Sequence, residues 1–442
     1  MIYLPNIFFA VLLVVGLGFF IKNVKKLIRN IKLGRDIDRS DRSELRWKNM
    51  INTALGQSKM VRRPVAGILH IIVYLGFIII NIEVIEIIID GLFGTHRVFS
   101  FAGRSYNFLI GSFEILAFLV LVSVILFWIR RMILRIPRFW NKEMTSWPKN
   151  DALNILYFEM VLMSLFLIMN AADSNLQKLG ADHYIMTGSF PISDLFANWL
   201  PQDISALILI ERVAWWLHII GIFIFLNYLY YSKHLHILLA FPNTYFANLN
   251  PKGRCDNLQA VTDEVKLMLD PDADPYATDT ENDNGTSEKF GASDITDLSW
   301  VQLMNAYTCT ECGRCTSVCP ANQTGKELSP RAIMMKTRDR IEEVSRYIDA
   351  NGIESFKQNG DDKTLLSTIT DEEIWACTSC NACVTECPVD IDPLSIITDL
   401  RRYLVMEESK APQELNMMMT NIENNGAPWQ YNQLDRLNWK NE

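Results

Sequence analysis

"WWLHIIGIFIFLNYLYYSKHLHILL", residues 215–239, is an apolar run long enough to cross a bilayer, with one histidine near its start and two near its end. Imidazole without a partner is costly in hydrocarbon, so each of the three needs a ligand or a hydrogen bond to account for its place. Read as one helix, the run puts His218 and His236 on a single face about 27 Å apart along the axis and turns His234 about 160° away from it. A ligand at each end of one face is the arrangement expected for two b-type haems stacked across a membrane.

Four more apolar runs lie upstream, at approximately 4–28, 65–90, 106–134 and 151–171. With the quoted one (206–232) they have the roughly 20 residues that about 30 Å of hydrocarbon requires. The first lacks a basic leader and a small-residue cleavage site, and its lysines follow the apolar stretch, so it reads as a signal anchor. Lys and Arg crowd "KNVKKLIRNIKLGR" and "RRMILRIPRFWNK", whereas "DGLFGTHRVFSFAGR" and residues 172–205 are poor in them. That bias predicts five membrane helices over residues 1–245, the N-terminus outside and the C-terminal end in the cytoplasm, as in an inner (cytoplasmic) membrane protein.

A six-coordinate haem needs a second axial ligand from another helix. His70 lies just inside the cytoplasmic end of the second span, at the depth of His236, so these two are expected to share the inner haem. His218 has no such counterpart, because the outer part of the second span offers only Asn81, Glu83 and Glu86. His96 and His183, in the outer loops, are its remaining candidate partners; a hydrogen bond to a neighbouring helix is the alternative. One haem b or two are therefore expected. Glu83, Glu86 and Asp90 form an acidic face at the outer side of the second span, with Glu114, Glu159 and Glu211 on other spans. Such carboxylates serve either proton exchange with a quinone or packing against a nearby Arg or Asn.

The rest of the 442 residues reads as a soluble chain. It carries most of the net charge of −8, which argues against nucleic acid as a partner. Residues 246–298 form an acidic linker, including "DPDADPYATDTENDNGTSEKFGASD", and hold the lone Cys255, read as a free thiol. Residues 299–405 carry apolar residues at helical spacing with no strand-like alternation, and 406–442 form a tail.

The other eight of nine cysteines lie in "CTECGRCTSVCP" (309–320) and "CTSCNACVTECP" (377–388), both C-x2-C-x2-C-x3-C-P. In that pattern three thiolates wrap one 4Fe–4S cubane and the fourth reaches across to the other cluster. Cys309, Cys312, Cys315 and Cys387 are then assigned to one cluster, and Cys377, Cys380, Cys383 and Cys319 to the second. Zinc is the alternative, but it favours separated cysteine pairs with histidine, and no histidine follows His236. Two cubanes so linked can pass single electrons between them.

The long helical connection between the two runs resembles the α-helical ferredoxin domain of succinate dehydrogenase and heterodisulfide reductase subunits. The tail "NIENNGAPWQYNQLDRLNW" (421–439) is similar to the run that heterodisulfide-reductase-like proteins place before a cysteine-rich CCG domain. In the membrane part "HIIVYLGF" (70–77), "WWLH" (215–218) and "SKHLHILLAFPN" (232–243) resemble the cytochrome b domain of nitrate reductase gamma subunits, with His236 rather than His234 at the ligand position. The resemblance implies an all-α protein: a five-helix transmembrane bundle of the cytochrome b type plus a cytoplasmic α-helical ferredoxin domain with two 4Fe–4S clusters. It also implies a function like that of electron-transfer-flavoprotein:menaquinone oxidoreductases. Such a chain would exchange electrons with a CCG-domain iron–sulfur subunit or a flavoprotein in the cytoplasm, and with menaquinone among the membrane lipids. Quinol oxidation feeding a heterodisulfide-type reductase, a redox-sensing anchor and an ion-pumping component are the alternatives.

Overall fold

The computed structural model describes residues 3–254, 257–270 and 289–441. Cys255 and the acidic stretch 271–288 lie outside the described residues. Among the described residues five helices are long and apolar enough to cross a membrane. They are α1 (Leu4–Ile31), α2 (Pro64–Phe93), α3 (Arg104–Met132), α4 (Trp147–Lys178) and α5 (Ile204–Tyr228). Proline in the first turn starts α1, α2 and α4, where its missing N–H leaves no bond unmade. Gly94, at φ +70°, ends α2, and the Asp203 side chain caps α5 by accepting from the Ala206 N–H at 2.9 Å. Phe9, Ile110, Phe113, Phe166 and Ile219 close the centre of the bundle. Val14, Val161 and Leu209 stay exposed on its outside, as side chains facing lipid would.

The quoted run does not continue as one helix. After α5 a 3₁₀ turn covers Leu229–Tyr231, and Ser232 is extended (φ −114°, ψ 151°). A second 3₁₀ turn (Lys233–Leu235) leads into α6 (His236–Tyr245). The break has local and tertiary causes. The Ser232 hydroxyl takes the His234 N–H at 3.0 Å, and the buried Asp151 of α4 takes the Lys233 N–H at 3.0 Å. His218 and His236 therefore do not share one helix face, and the expectation of two sites about 27 Å apart on a single axis is corrected.

Beyond α6 come α7 (Gln259–Leu269), α8 (Trp300–Thr308), α9 (Pro330–Asn351), α10 (Pro393–Met406) and α11 (Gln413–Asn425), with shorter turns between. Among the described residues no strand forms; one isolated bridge joins Arg35 and Ser299. Capping chemistry written in the sequence sets several starts. Ser299 and Gln302 form a capping box at α8, and Asp392 accepts from the Ser395 N–H at 3.0 Å to open α10. Each such cap contributes about 1 kcal/mol.

Leu303, Ile333, Ile341, Ile374, Ile396 and Leu400 make a dry core for this second unit. That core begins ahead of residue 299, since Ala292, Ile295 and Leu298 are fully buried in it. Leu27, Tyr230, Leu235 and Leu239 from the membrane helices and their extension join the same cluster, so the two units share one core. Lys26 and Arg29 each meet Asp349 at 2.6 Å, and the buried Asn30 donates to the Tyr307 hydroxyl at 2.9 Å. The cysteine-bearing unit thus sits against the end of the bundle where α1 finishes and α2 begins.

Candidate functional site

The two cysteine runs fold into the same loop. Glu311 and Gly313 have φ of +53° and +70°; their counterparts Ser379 and Asn381 have +55° and +59°. Paired left-handed residues between the cysteines turn successive thiols toward one side, which a cubane requires and a helix or strand cannot provide. The third cysteine of each run stands in a short helix, Arg314–Ser317 or Ala382–Glu386, and these two helices pack on each other. That packing crosses the chains of ligands. Burial raises the Cys315 and Cys387 thiols; Cys309 and Cys312 add to the rise at both, and Cys387 itself acts on Cys315. In the other group Cys319 acts on Cys377 and on Cys383, whose thiol is pushed up to about 12, chiefly by burial. Cys309, Cys312 and Cys387 thus lie near Cys315, and Cys319 lies near Cys377 and Cys383; Cys383 also acts on Cys315, so the two runs adjoin.

Among the described residues no group of three His, Cys, Asp or Glu side chains is arranged to hold a single metal ion. A cubane spreads its four thiolates over four corners, so this donor set fits clusters better than a zinc site. Main-chain N–H groups already point at sulfur: Ser379 to Cys377 Sγ and Ile391 to Cys387 Sγ, both at 3.4 Å. Exposure singles out one cysteine. Cys309 and Cys387 are buried, whereas Cys380 is exposed at the surface.

The histidines form a second centre beside the first group. The His70 and His236 ring centres lie 6.4 Å apart. Two imidazoles on opposite faces of one iron, each nitrogen about 2 Å from it, place their ring centres roughly 6 Å apart. His236 Nδ1 meets the Lys233 carbonyl at 3.0 Å, which fixes the ring and leaves Nε2 free, as metal-binding histidines require. His70 Nδ1 is buried without a hydrogen-bond partner. The pair fits a haem ligated on both faces. His234, brought near by the break in the helix, lies 5.6 Å from the His236 ring and sets its Nε2 at 3.6 Å from Glu159.

His218 is buried elsewhere, its Nδ1 3.0 Å from the Leu162 carbonyl and its ring on Phe166. Neither suggested partner reaches it. His96 sets Nε2 at 3.3 Å from Asp173, and its ring lies 5.6 Å from that of His183 in the far-end loops. The intramembrane carboxylates mostly hold those loops. Glu86 accepts from the Phe99 N–H and the Tyr106 hydroxyl at 2.8 Å, Glu114 from the Ile192 and Ser193 N–H groups, and Glu211 from the Tyr184 hydroxyl at 3.0 Å. The buried Arg97 donates to Asp173 at 2.6 Å. Glu86, Arg97, Asp173 and Glu211 border a cavity of about 320 Å³ beside Trp215 and Trp216, where Glu83 keeps one oxygen without a hydrogen-bond partner.

One contact is not legible in either motif. Glu311, inside the first cysteine run, takes Lys233 at 2.5 Å and Arg338 at 2.7 Å, and it is buried. The only hint in the sequence is a lone carboxylate between cysteines where the second run has Ser379.

These features define a helical iron–sulfur protein joined to a bundle of membrane-length apolar helices. Residues 305–391 match the 4Fe-4S dicluster domain family. The chain is 30% identical to the "Probable iron-sulfur-binding oxidoreductase FadF" of Bacillus subtilis (strain 168), across 98% of this chain and 60% of that protein. It is 26% identical to the "EtfAB:quinone oxidoreductase" of Syntrophomonas wolfei, across 92% of this chain and 55% of that one. Over 35% of its length it is 28% identical to a polypeptide of the dihydromethanophenazine:CoB–CoM heterodisulfide reductase of Methanosarcina mazei, covering 37% of that polypeptide. The chain is thus a relative of iron–sulfur oxidoreductases and of a heterodisulfide reductase component, and it spans somewhat over half the length of the first two. No solved structure matches it.

Proposed function

We propose that the chain is a membrane electron-transfer unit linking a partner at its exposed cysteine group with quinone in an inner (cytoplasmic) membrane. The partner is a flavoprotein or a CCG-type iron–sulfur module on the cytoplasmic side. When bound, two 4Fe–4S clusters and a b-type haem supply carriers of single electrons. Cys309, Cys312, Cys315 and Cys387 hold the inner cluster; Cys377, Cys380, Cys383 and Cys319 hold the outer one. His70 and His236 hold the haem, with the Lys233 carbonyl orienting the second ring. His218 is retained as a candidate ligand for a further haem, its Nδ1 placed by the Leu162 carbonyl in the same manner.

The observation that carries this reading is the 6.4 Å separation of the His70 and His236 rings at the end of the bundle where the dicluster domain packs. The printed name of the Syntrophomonas relative favours quinone at the membrane end, and the surface position of Cys380 favours partner contact at the other. Reduced-minus-oxidised spectra of the purified protein test it. A b-type α-band is expected, and His70→Ala and His236→Ala should each remove the same band. Non-haem iron and acid-labile sulfide should approach about eight of each per chain. A spectrum without a haem band, or two variants that remove different bands, would refute the assignment.

A further inference from the structure

Two centres that exchange electrons need a fixed separation, and here two parts of the chain that share one core have to supply it. The loop between Cys309 and Cys312 belongs to the dicluster unit, whereas His236 follows the last membrane helix. Among the side-chain pairs across this boundary, one joins the first cysteine loop to the residue that holds His236. Glu311, at a left-handed φ of +53°, sets its carboxylate on Lys233 (2.5 Å) and Arg338 (2.7 Å). Lys233 is anchored on its own side as well. Its Nζ donates to the Pro148 carbonyl at 2.7 Å, its N–H to Asp151 at 3.0 Å, and its carbonyl faces His236 Nδ1 at 3.0 Å. Neither the Glu311 nor the Lys233 side chain is more than 10% exposed, so water screens the pair little.

We propose that the Glu311–Lys233 pair is the positioning link between the two centres: it registers the first cysteine loop against the His236 imidazole and sets the electrostatic environment of both. The inference rests on the haem reading above. Neither residue is a ligand. Arg340 with Asp294 and Asp361 lies within this unit, and Arg331 with Glu143, like Lys59 with Asp390, crosses to the membrane part without contacting a histidine. Only Glu311 reaches from between two cysteines to the residue whose carbonyl orients an imidazole.

The test uses the full chain purified with its cofactors, titrated optically for haem midpoint and examined by electron paramagnetic resonance for the low-spin haem signal. A nearby positive charge favours the reduced form and a negative charge the oxidised form. Lys233→Met should therefore shift the haem midpoint down, and Glu311→Gln, made inside the cysteine loop, should shift the same haem up. Arg340→Met, which breaks a buried pair of ordinary structural kind, should leave both midpoint and signal in place. If the neutral variants fail to load, Lys233→Arg and Glu311→Asp keep the charges but change the length of the link, and each should alter the low-spin signal. Loaded variants whose haem midpoint and signal match the native protein would overturn the link. A native protein with no haem band overturns the haem reading instead, so the two failures are distinguishable.

Discussion

The two cysteine runs share spacing and backbone turns, yet they stand in opposite surroundings. The first is sealed under the membrane unit. Cys309 is buried, Glu311 is paired with Lys233 and Arg338, and Arg331 pairs with Glu143 at 2.7 Å beside it. The second run opens to the surface at Cys380, with Ser379 in the place of Glu311. The comparison teaches that the ligand pattern specifies the cluster, while the residues between the ligands specify what lies against it. A charged residue in the loop is tolerable only where another unit supplies its counter-charge.

The largest expected effect breaks the symmetry of the cross-ligation. Cys387→Ser lies in the second run but should cost the cluster of the first, and Cys319→Ser should do the reverse. Each variant should retain about half of its iron, and the surviving cluster should differ between them by electron paramagnetic resonance. Loss of the cluster belonging to the mutated run would show that the fourth cysteines do not cross.

Next in size is an exchange at the equivalent loop positions. Glu311→Ser makes the first run resemble the second and leaves Lys233 and Arg338 without their shared carboxylate. Removing one partner of a buried ion pair costs roughly 3–5 kcal/mol, so about 3 kcal/mol is expected for Glu311→Ser in chemical denaturation. Ser379→Ala, at the surface, should stay within about 0.5 kcal/mol. Equal effects would mean that the two loops have the same surroundings after all.

Acidity should act on both runs alike. Burial raises the Cys309 thiol from 9.0 to about 11 and the Cys383 thiol to about 12. A thiol whose pKa is raised by folding gives its full stability below the unfolded value and loses it as pH climbs through the folded value. Cofactor-free protein should therefore weaken between about pH 9 and pH 12. Loading runs the other way, because ligation requires thiolate and releases protons. Reconstitution with iron and sulfide should be more complete at about pH 8.5 than at about pH 6.5. Loading that is flat across that range would contradict the burial of these thiols.

Much of this arrangement is legible in the sequence. The five apolar runs become five helices because nothing but a hydrogen-bonded helix satisfies the backbone in hydrocarbon. The cysteine spacing locates both metal groups, since few structures other than iron–sulfur loops need three thiols in seven residues. The failure comes at Ser232. Apolar periodicity runs through "LYYSKHLHILL" without interruption, so one helix is the natural reading. What breaks it is a carboxylate on another helix, Asp151, and another in another unit, Glu311, and pairing across units leaves no periodic signature. The same reason hides the upstream edge of the second core, where Ala292 and Ile295 are isolated apolar residues in acidic sequence. His70 and His236 come together because matching depth on two spans is visible in sequence; His218, matched to nothing at its own depth, meets only a carbonyl.

The smallest expected effect concerns the turn that both runs share. Gly313 and Asn381 occupy equivalent left-handed positions, but only Gly313 is crowded: a Cβ there would meet Arg331 Nη1 at 2.5 Å. Arg331 is fully buried and committed to Glu143, so it has little room to give way. Gly313→Ala should cost about 1 kcal/mol or more from the positive φ and this contact together. Asn381→Gly relieves the backbone at an open position and should change stability by only a few tenths of a kcal/mol. Thermal melts of the loaded protein compare the two directly. A mild Gly313→Ala would mean that the first loop has slack around Arg331, and the idea of a sealed run set against an open one would lose its tightest contact.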